Sequence, residues 1–223
     1  MILRRFGIDR FQRDARLFLV TTFVAGAALS LYWIDFNLYL ASLGLSTSTI
    51  GIISTVAAFA GALVAFPASA ASDRYGRRAI VAGGILVGLV ALIGLLLTDV
   101  PALIAVFAAF WAMGWQAFQV VQSPYLTEHS EPDHRNELFA IQFAIQSMTN
   151  IIAAVLGAVV ATVIAGIIGL DPNGPGTYRV ILALMGLLMV AALATVARLS
   201  DDHPQSVTGP RLRALGEPAA FPP

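Results

Sequence analysis

The side chains able to do chemistry in this sequence are the polar ones stranded inside long apolar runs. Asp35 stands about 18 residues into the first run and is the only carboxylate set so deep. A carboxylate within a bilayer costs on the order of a few kcal/mol, so it faces a cavity or a partner. Tyr32, Asp35 and Tyr39 share one helical face by their i, i+3, i+7 spacing, with Asn37 on another side. Two readings stand. Asp35 either faces a cavity, as a ligand-binding group, or it hydrates near the surface with Trp33 and Tyr39 as interfacial anchors.

The fourth run carries Trp111, Trp115, Gln119 and Gln122 at i, i+4, i+8 and i+11, with Gln116 beside them. The fifth carries Gln142, Gln146 and Asn150 at i, i+4 and i+8. Amides in hydrocarbon need partners, so interhelical adhesion is the plainer reading. Their number exceeds what two helices need to adhere, and tryptophans suit a binding wall. The two stripes are therefore expected to converge in the cytoplasmic half of the bundle, as a wall that holds an organic ligand by hydrogen bonds and stacking. His129, His134 and His203 all fall in loops, so no nucleophile and base meet at membrane depth, and an enzyme is not expected. With no cysteine there is no disulfide or thiolate site, and no cofactor or metal is expected.

The elements that position these residues are apolar helices. The 223 residues are 58% hydrophobic and 12% charged, with a mean hydropathy of +0.80. That charged share is half the roughly 25% of a soluble domain, and a net charge of zero argues against nucleic acid as a partner. Runs of roughly 20 apolar residues, enough to cross the bilayer as helices, occur at about 17–40, 49–71, 79–98, 101–126, 138–168 and 178–199. The fifth exceeds what a bilayer requires. An all-α, six-span bundle over residues 17–199 is predicted. It follows a basic amphipathic segment at 1–16 and precedes a polar, Pro-rich tail at 200–223 that reads as disordered.

Orientation follows from arginine, since lysine is absent. Twelve of the 13 arginines flank one end of the spans and only Arg179 the other, which puts both termini in the cytoplasm of a plasma (inner) membrane. Ala57/Gly61 and Gly84/Gly88 are spaced four apart for close helix contact.

Between the second and third runs lies Ser72-Asp73-Arg74-Tyr75-Gly76-Arg77-Arg78. Gly76 permits a tight reversal. Asp73, ending one helix, can pair with Arg77 or Arg78, beginning the next, and Arg74 reads as a positive anchor on the cytoplasmic side. The pattern Asp-Arg-x-Gly-Arg-Arg, with small Ser69 four residues before the Asp, resembles the loop between the second and third helices of the major facilitator superfamily. The resemblance implies a secondary transporter working by alternating access and a cytoplasmic gate built on Asp73 and Arg77. It also implies that Glu128, at the end of the fourth helix, pairs with Arg77, and that Arg135 pairs with Asp73 or a neighbouring helix end. Many proton-driven members carry an Arg four residues before a Gly in the fourth helix. Here Phe110 precedes Gly114, and the fifth run lacks the Gly-Pro signature of drug exporters. Such proteins hold substrate between two six-helix bundles, so the chain reads as the N-terminal one. Its expected partners are a small organic substrate, the bilayer, and a C-terminal half or a second copy of itself; a non-transporting scaffold is the rival reading.

Overall fold

The computed structural model describes residues 13–128, 130 and 132–200. The expected amphipathic segment before residue 13, the tail beyond residue 200, His129 and Glu131 lie outside these. The described residues form six helices long and apolar enough to span a membrane. They are α1 (Arg13–Ser42), α2 (Thr47–Tyr75), α3 (Arg77–Leu97), α4 (Pro101–Glu128), α5 (Arg135–Val159) and α6 (Pro175–Val196). α5 runs on through a π-helical turn, Val160–Ile164, and a last α turn, Ala165–Ile167. The chain is thus a multi-pass, all-helical membrane protein.

Each helix starts or stops for a local reason. Ser46 caps α2 by accepting from the Thr49 N–H at 3.2 Å. Pro175 opens α6, where its missing N–H is not needed. The helices reach past the apolar runs into the charged loops, because helical hydrogen bonding continues after the membrane ends. Between α2 and α3 only Gly76 remains, at φ 93° and ψ 149°, a conformation essentially restricted to glycine. Pro67 and Pro124 lie inside α2 and α4 and each removes one backbone donor from its helix.

The helices pack in two triplets. α4 packs against α2 and α3, α1 packs against α5 and α6, and α3 meets α6 between them. Exchanging helices 1, 2 and 3 for 4, 5 and 6 leaves this pairing scheme unchanged, a pseudo-two-fold arrangement of two three-helix units. α1 is the most buried span and α2 the least. The α3–α4 seam depends on small residues. The backbones of Gly84 and Gly114 face each other so closely that a Cβ on Gly84 would lie 2.5 Å from the Gly114 carbonyl oxygen. Gly61 lies against Ala112, and Gly88 against the Trp111 ring. Such backbone approach supplies the packing that the hydrophobic effect cannot supply within lipid.

α1 and α4 behave differently. Their backbones scarcely approach each other, because aromatic rings fill the gap. Phe18 stacks on Phe118 and on Tyr125, with ring centres 5.9 and 4.6 Å apart, and Tyr32 stacks on Trp111 at 4.9 Å. Side chains of that size hold the two helices apart. The start of α1 and the end of α6 come together, with Ser200 Oγ donating to Asp14 Oδ2 at 2.6 Å. This end of the bundle also carries Arg77, Arg78, Arg135 and Arg198 and is called the Arg-rich end below.

Candidate functional site

A cleft of about 310 Å³ opens between α1, α2 and α4. α1 contributes Leu29, Tyr32, Trp33, Phe36 and Asn37; α2 contributes Ser54, Ala57, Ala58 and Gly61; α4 contributes Trp111, Ala112, Trp115 and Gln116. The small residues of α2 make the space and the rings of α1 and α4 line it. Tyr32 stacks on Phe36 at 4.4 Å as well as on Trp111, and Trp115 stacks on Phe118 at 5.2 Å towards the Arg-rich end. All three tryptophans of the chain border this one cleft. None of its lining side chains is ionisable at neutral pH.

The expected binding residues divide. Trp111, Trp115 and Gln116 line the cleft, whereas Asp35, Gln119, Gln122, Gln142, Gln146 and Asn150 do not. Asp35 is only 7% exposed and turns to α5, where Gly157 leaves room for it: a Cβ there would meet Asp35 Oδ2 at 2.8 Å. Asp35 Oδ2 has no hydrogen-bond partner. Tyr39 is fully buried and donates to the Leu95 carbonyl at 3.2 Å, so it ties α1 to α3 instead of anchoring at the interface. Trp33 is 69% exposed at the cleft mouth.

The two amide stripes do not hydrogen-bond to each other among the described residues, since α4 and α5 touch only sparsely. Asn150 instead accepts from Ser30 Oγ and joins α5 to α1. Gln122 is 5% exposed with its Nε2 unpartnered, and Gln119 Oε1 and Trp111 Nε1 are also buried without partners. Adhesion between helices therefore accounts for Asn150 but not for these groups of α4.

A second cluster occupies the Arg-rich end. The Arg77 side chain is 10% exposed and lies between two carboxylates. Nη1 is 2.7 Å from Asp73 Oδ1, and Nη2 donates to Glu128 Oε1 at 2.9 Å. Arg77 Nε donates to Glu128 Oε2 at 3.4 Å, and Nη1 to Ser72 Oγ at 2.9 Å. One guanidinium thus connects the end of α2, the start of α3 and the end of α4, using the planar fork that lysine lacks. Arg78 donates to the Ala197 carbonyl at 2.9 Å, linking α3 to the last turn of α6. Arg74 is exposed and lies 5.3 Å from the centre of the Tyr75 ring. Arg135 does not reach Asp73. It donates to the Thr127 carbonyl and to Ser130 Oγ, both at 3.4 Å, because the short 3₁₀ turn Pro132–His134 folds it back onto the end of α4. At the opposite end, Arg179 pairs with Asp99 at 2.5 Å and joins α6 to the α3–α4 loop.

The residues that sequence spacing underweighted are Phe36, Ser54 and the small face of α2. Their signal lies across three helices and not along any one of them. A search of curated proteins finds no match to this sequence. The family model of the Major Facilitator Superfamily matches residues 18–221, which takes in every span, the Gly76 elbow and both clusters. On that match the chain belongs to the major facilitator superfamily of membrane transporters.

Proposed function

We propose that this bundle forms one wall of a secondary transporter for a small organic solute, working by alternating access. The observation that carries the reading is the cleft between α1, α2 and α4, which gathers rings and neutral polar groups where the α1 backbone stands off from the packed α2–α4 pair. The Arg-rich end faces the cytoplasm of the plasma membrane, in line with the arginine count. There the Asp73–Arg77–Glu128 cluster acts as the latch of the cytoplasmic gate, engaged in one state of the cycle and released in the other. Gly76 sets its geometry, Arg78 holds α6 to it, and Arg74 and Arg135 support the neighbouring loops. Gln119 and Gln122 on α4, with buried polar atoms left unpartnered, and Gln142 and Gln146 on α5 are assigned to the solute's polar contacts in other states of the cycle. Asp35, buried on the α5 side of α1 with Oδ2 unpartnered, is the candidate carboxylate for proton coupling.

The opposite wall comes from another six-helix bundle, a C-terminal half or a second copy of this chain. Phe59, Leu63 and Phe66 of α2 are exposed and apolar, suited to that bundle or to lipid. The test is reconstitution of the 223-residue chain in liposomes with a panel of labelled neutral, cationic and anionic organic solutes. Saturable uptake above protein-free liposomes supports the reading. Uptake equal to those liposomes for every solute would leave a partner-binding scaffold as the better account.

A further inference from the structure

We propose that the cleft between α1, α2 and α4 selects a flat aromatic solute that carries no negative charge. The inference rests on the reading of the cleft as a solute site and adds the chemical class.

Three features of the lining point to that class. First, Tyr32, Trp33, Phe36, Trp111 and Trp115 converge on a space of about 310 Å³, near the lower end of small-molecule sites. Tyr32 and Trp111 stand 27° from parallel, so a planar ring can continue the stack in the offset geometry that aromatic pairs prefer. Second, the polar side chains with amide or aliphatic hydroxyl groups are Asn37, Ser54 and Gln116, all neutral. Three such groups orient a solute with one or two polar substituents but leave most hydroxyls of a polyol unsatisfied, each a desolvation penalty. Third, no Arg, Lys or His lines the space. An anion entering it would lose its hydration with no cation to replace it, and the faces of the rings repel negative charge and attract positive. Asp35 does not alter this balance by direct contact, because its carboxylate lies against Gly157 on α5.

The chain carries its own reporter, since all three of its tryptophans border the cleft. The full chain in lipid nanodiscs is titrated with naphthylmethanol, naphthylmethylamine (a cation), naphthoate (an anion) and cyclohexylmethanol, with empty nanodiscs as blank. The proposal expects a saturable change in tryptophan emission with the first two. Their apparent Kd values should be at least about tenfold below those of naphthoate and cyclohexylmethanol, a gap equal to about 1.4 kcal/mol. Trp115→Leu should weaken naphthylmethanol binding about two- to tenfold, the range of one lost aromatic pair. Ser54→Phe fills the cleft from an exposed position on α2, and should abolish binding while leaving the melting temperature in place.

Naphthoate or cyclohexylmethanol binding as tightly as naphthylmethanol would overturn the proposal. So would a lack of saturable change with every probe, or a Ser54→Phe chain that binds as before. The two readings fail separately. Probe binding without uptake of any solute by liposomes would refute transport and leave the cleft chemistry standing. Saturable uptake of some solute without probe binding would do the reverse.

Discussion

If Arg77 is the keystone of a latch, the effects of cutting its bonds follow an order that the geometry fixes. Glu128 holds Arg77 by two hydrogen bonds and is 40% exposed, so Glu128→Gln weakens an interaction that is partly desolvated. A hydrogen bond between charged groups contributes about 1.5–3 kcal/mol when well buried and an exposed pair about 0.2–1. The intermediate setting gives about 1–2 kcal/mol, or roughly a 5- to 30-fold shift between the latched and open states. Asp73 is 62% exposed and pairs with Arg77 across the Gly76 elbow, so Asp73→Asn shifts the equilibrium by only about 0.3–0.5 kcal/mol, roughly twofold, within the range of exposed pairs. Arg77→Ala removes every bond and leaves two carboxylates facing each other, for about 2–4 kcal/mol, somewhat below the range for a fully buried pair. The chain contains no cysteine, so one cysteine introduced at half-buried Gln119, on α4 some nine residues before Glu128, gives a clean readout. The measurement is its labelling rate by a membrane-impermeant maleimide applied from the Arg-rich side. Arg77→Ala should accelerate labelling most, Glu128→Gln by about 5- to 30-fold and Asp73→Asn by about twofold. An Asp73→Asn effect larger than that of Glu128→Gln, or an Arg77→Ala chain that labels at the parent rate, would refute the latch.

Further expectations can be checked with single substitutions. Gly84→Ala places a Cβ 2.5 Å from the Gly114 carbonyl oxygen and should destabilise the bundle by about 1–3 kcal/mol; an unchanged melting temperature in detergent would count against the close α3–α4 seam. Ser30→Ala removes the hydrogen bond to Asn150 and should lower stability by only about 0.6 kcal/mol, the average for such bonds in membranes. A loss as large as that of Gly84→Ala would mean the bond carries more of the α1–α5 contact than assigned here. Asp35→Asn should abolish the response of solute uptake to a proton gradient and leave naphthylmethanol binding within about twofold, because the carboxylate lies outside the cleft. Continued drive by the gradient would locate coupling elsewhere.

The six spans were legible because a run of about 20 apolar residues has few uses other than crossing a bilayer. The Gly76 elbow was legible because a charged heptapeptide between two such runs leaves little chain for anything but a turn. The Arg77–Glu128 contact lay beyond hydropathy; only the likeness of Asp-Arg-x-Gly-Arg-Arg to a family pattern pointed to it. Periodicity misjudged what it could not see, namely which neighbour each face meets. Tyr39 reads as an interfacial anchor by position along α1, yet α3 offers it the Leu95 carbonyl and buries it. Asp35 lies less than a turn from Tyr32, but one faces α5 and the other the cleft, since α1 is packed on several sides. The two amide stripes were expected to meet because their helices are consecutive, whereas α4 packs on α2 and α3, and α5 on α1. The excess length of the fifth span was legible in its apolar run, whereas the π turn at Val160–Ile164, which breaks its regular winding, was not.

The single-residue elbow at Gly76 has a mechanical consequence. Rods of 29 and 21 residues are soldered at one vertex, with no slack through which either can drift from the other. Torsion at that vertex is the sole local freedom, and the two arginines immediately after it grip α4 and α6. A small swing of α3 is therefore delivered to three other rods at once, as a crank delivers its throw. Lengthening the elbow by one residue would let the rods slip, even with every side chain around them left in place.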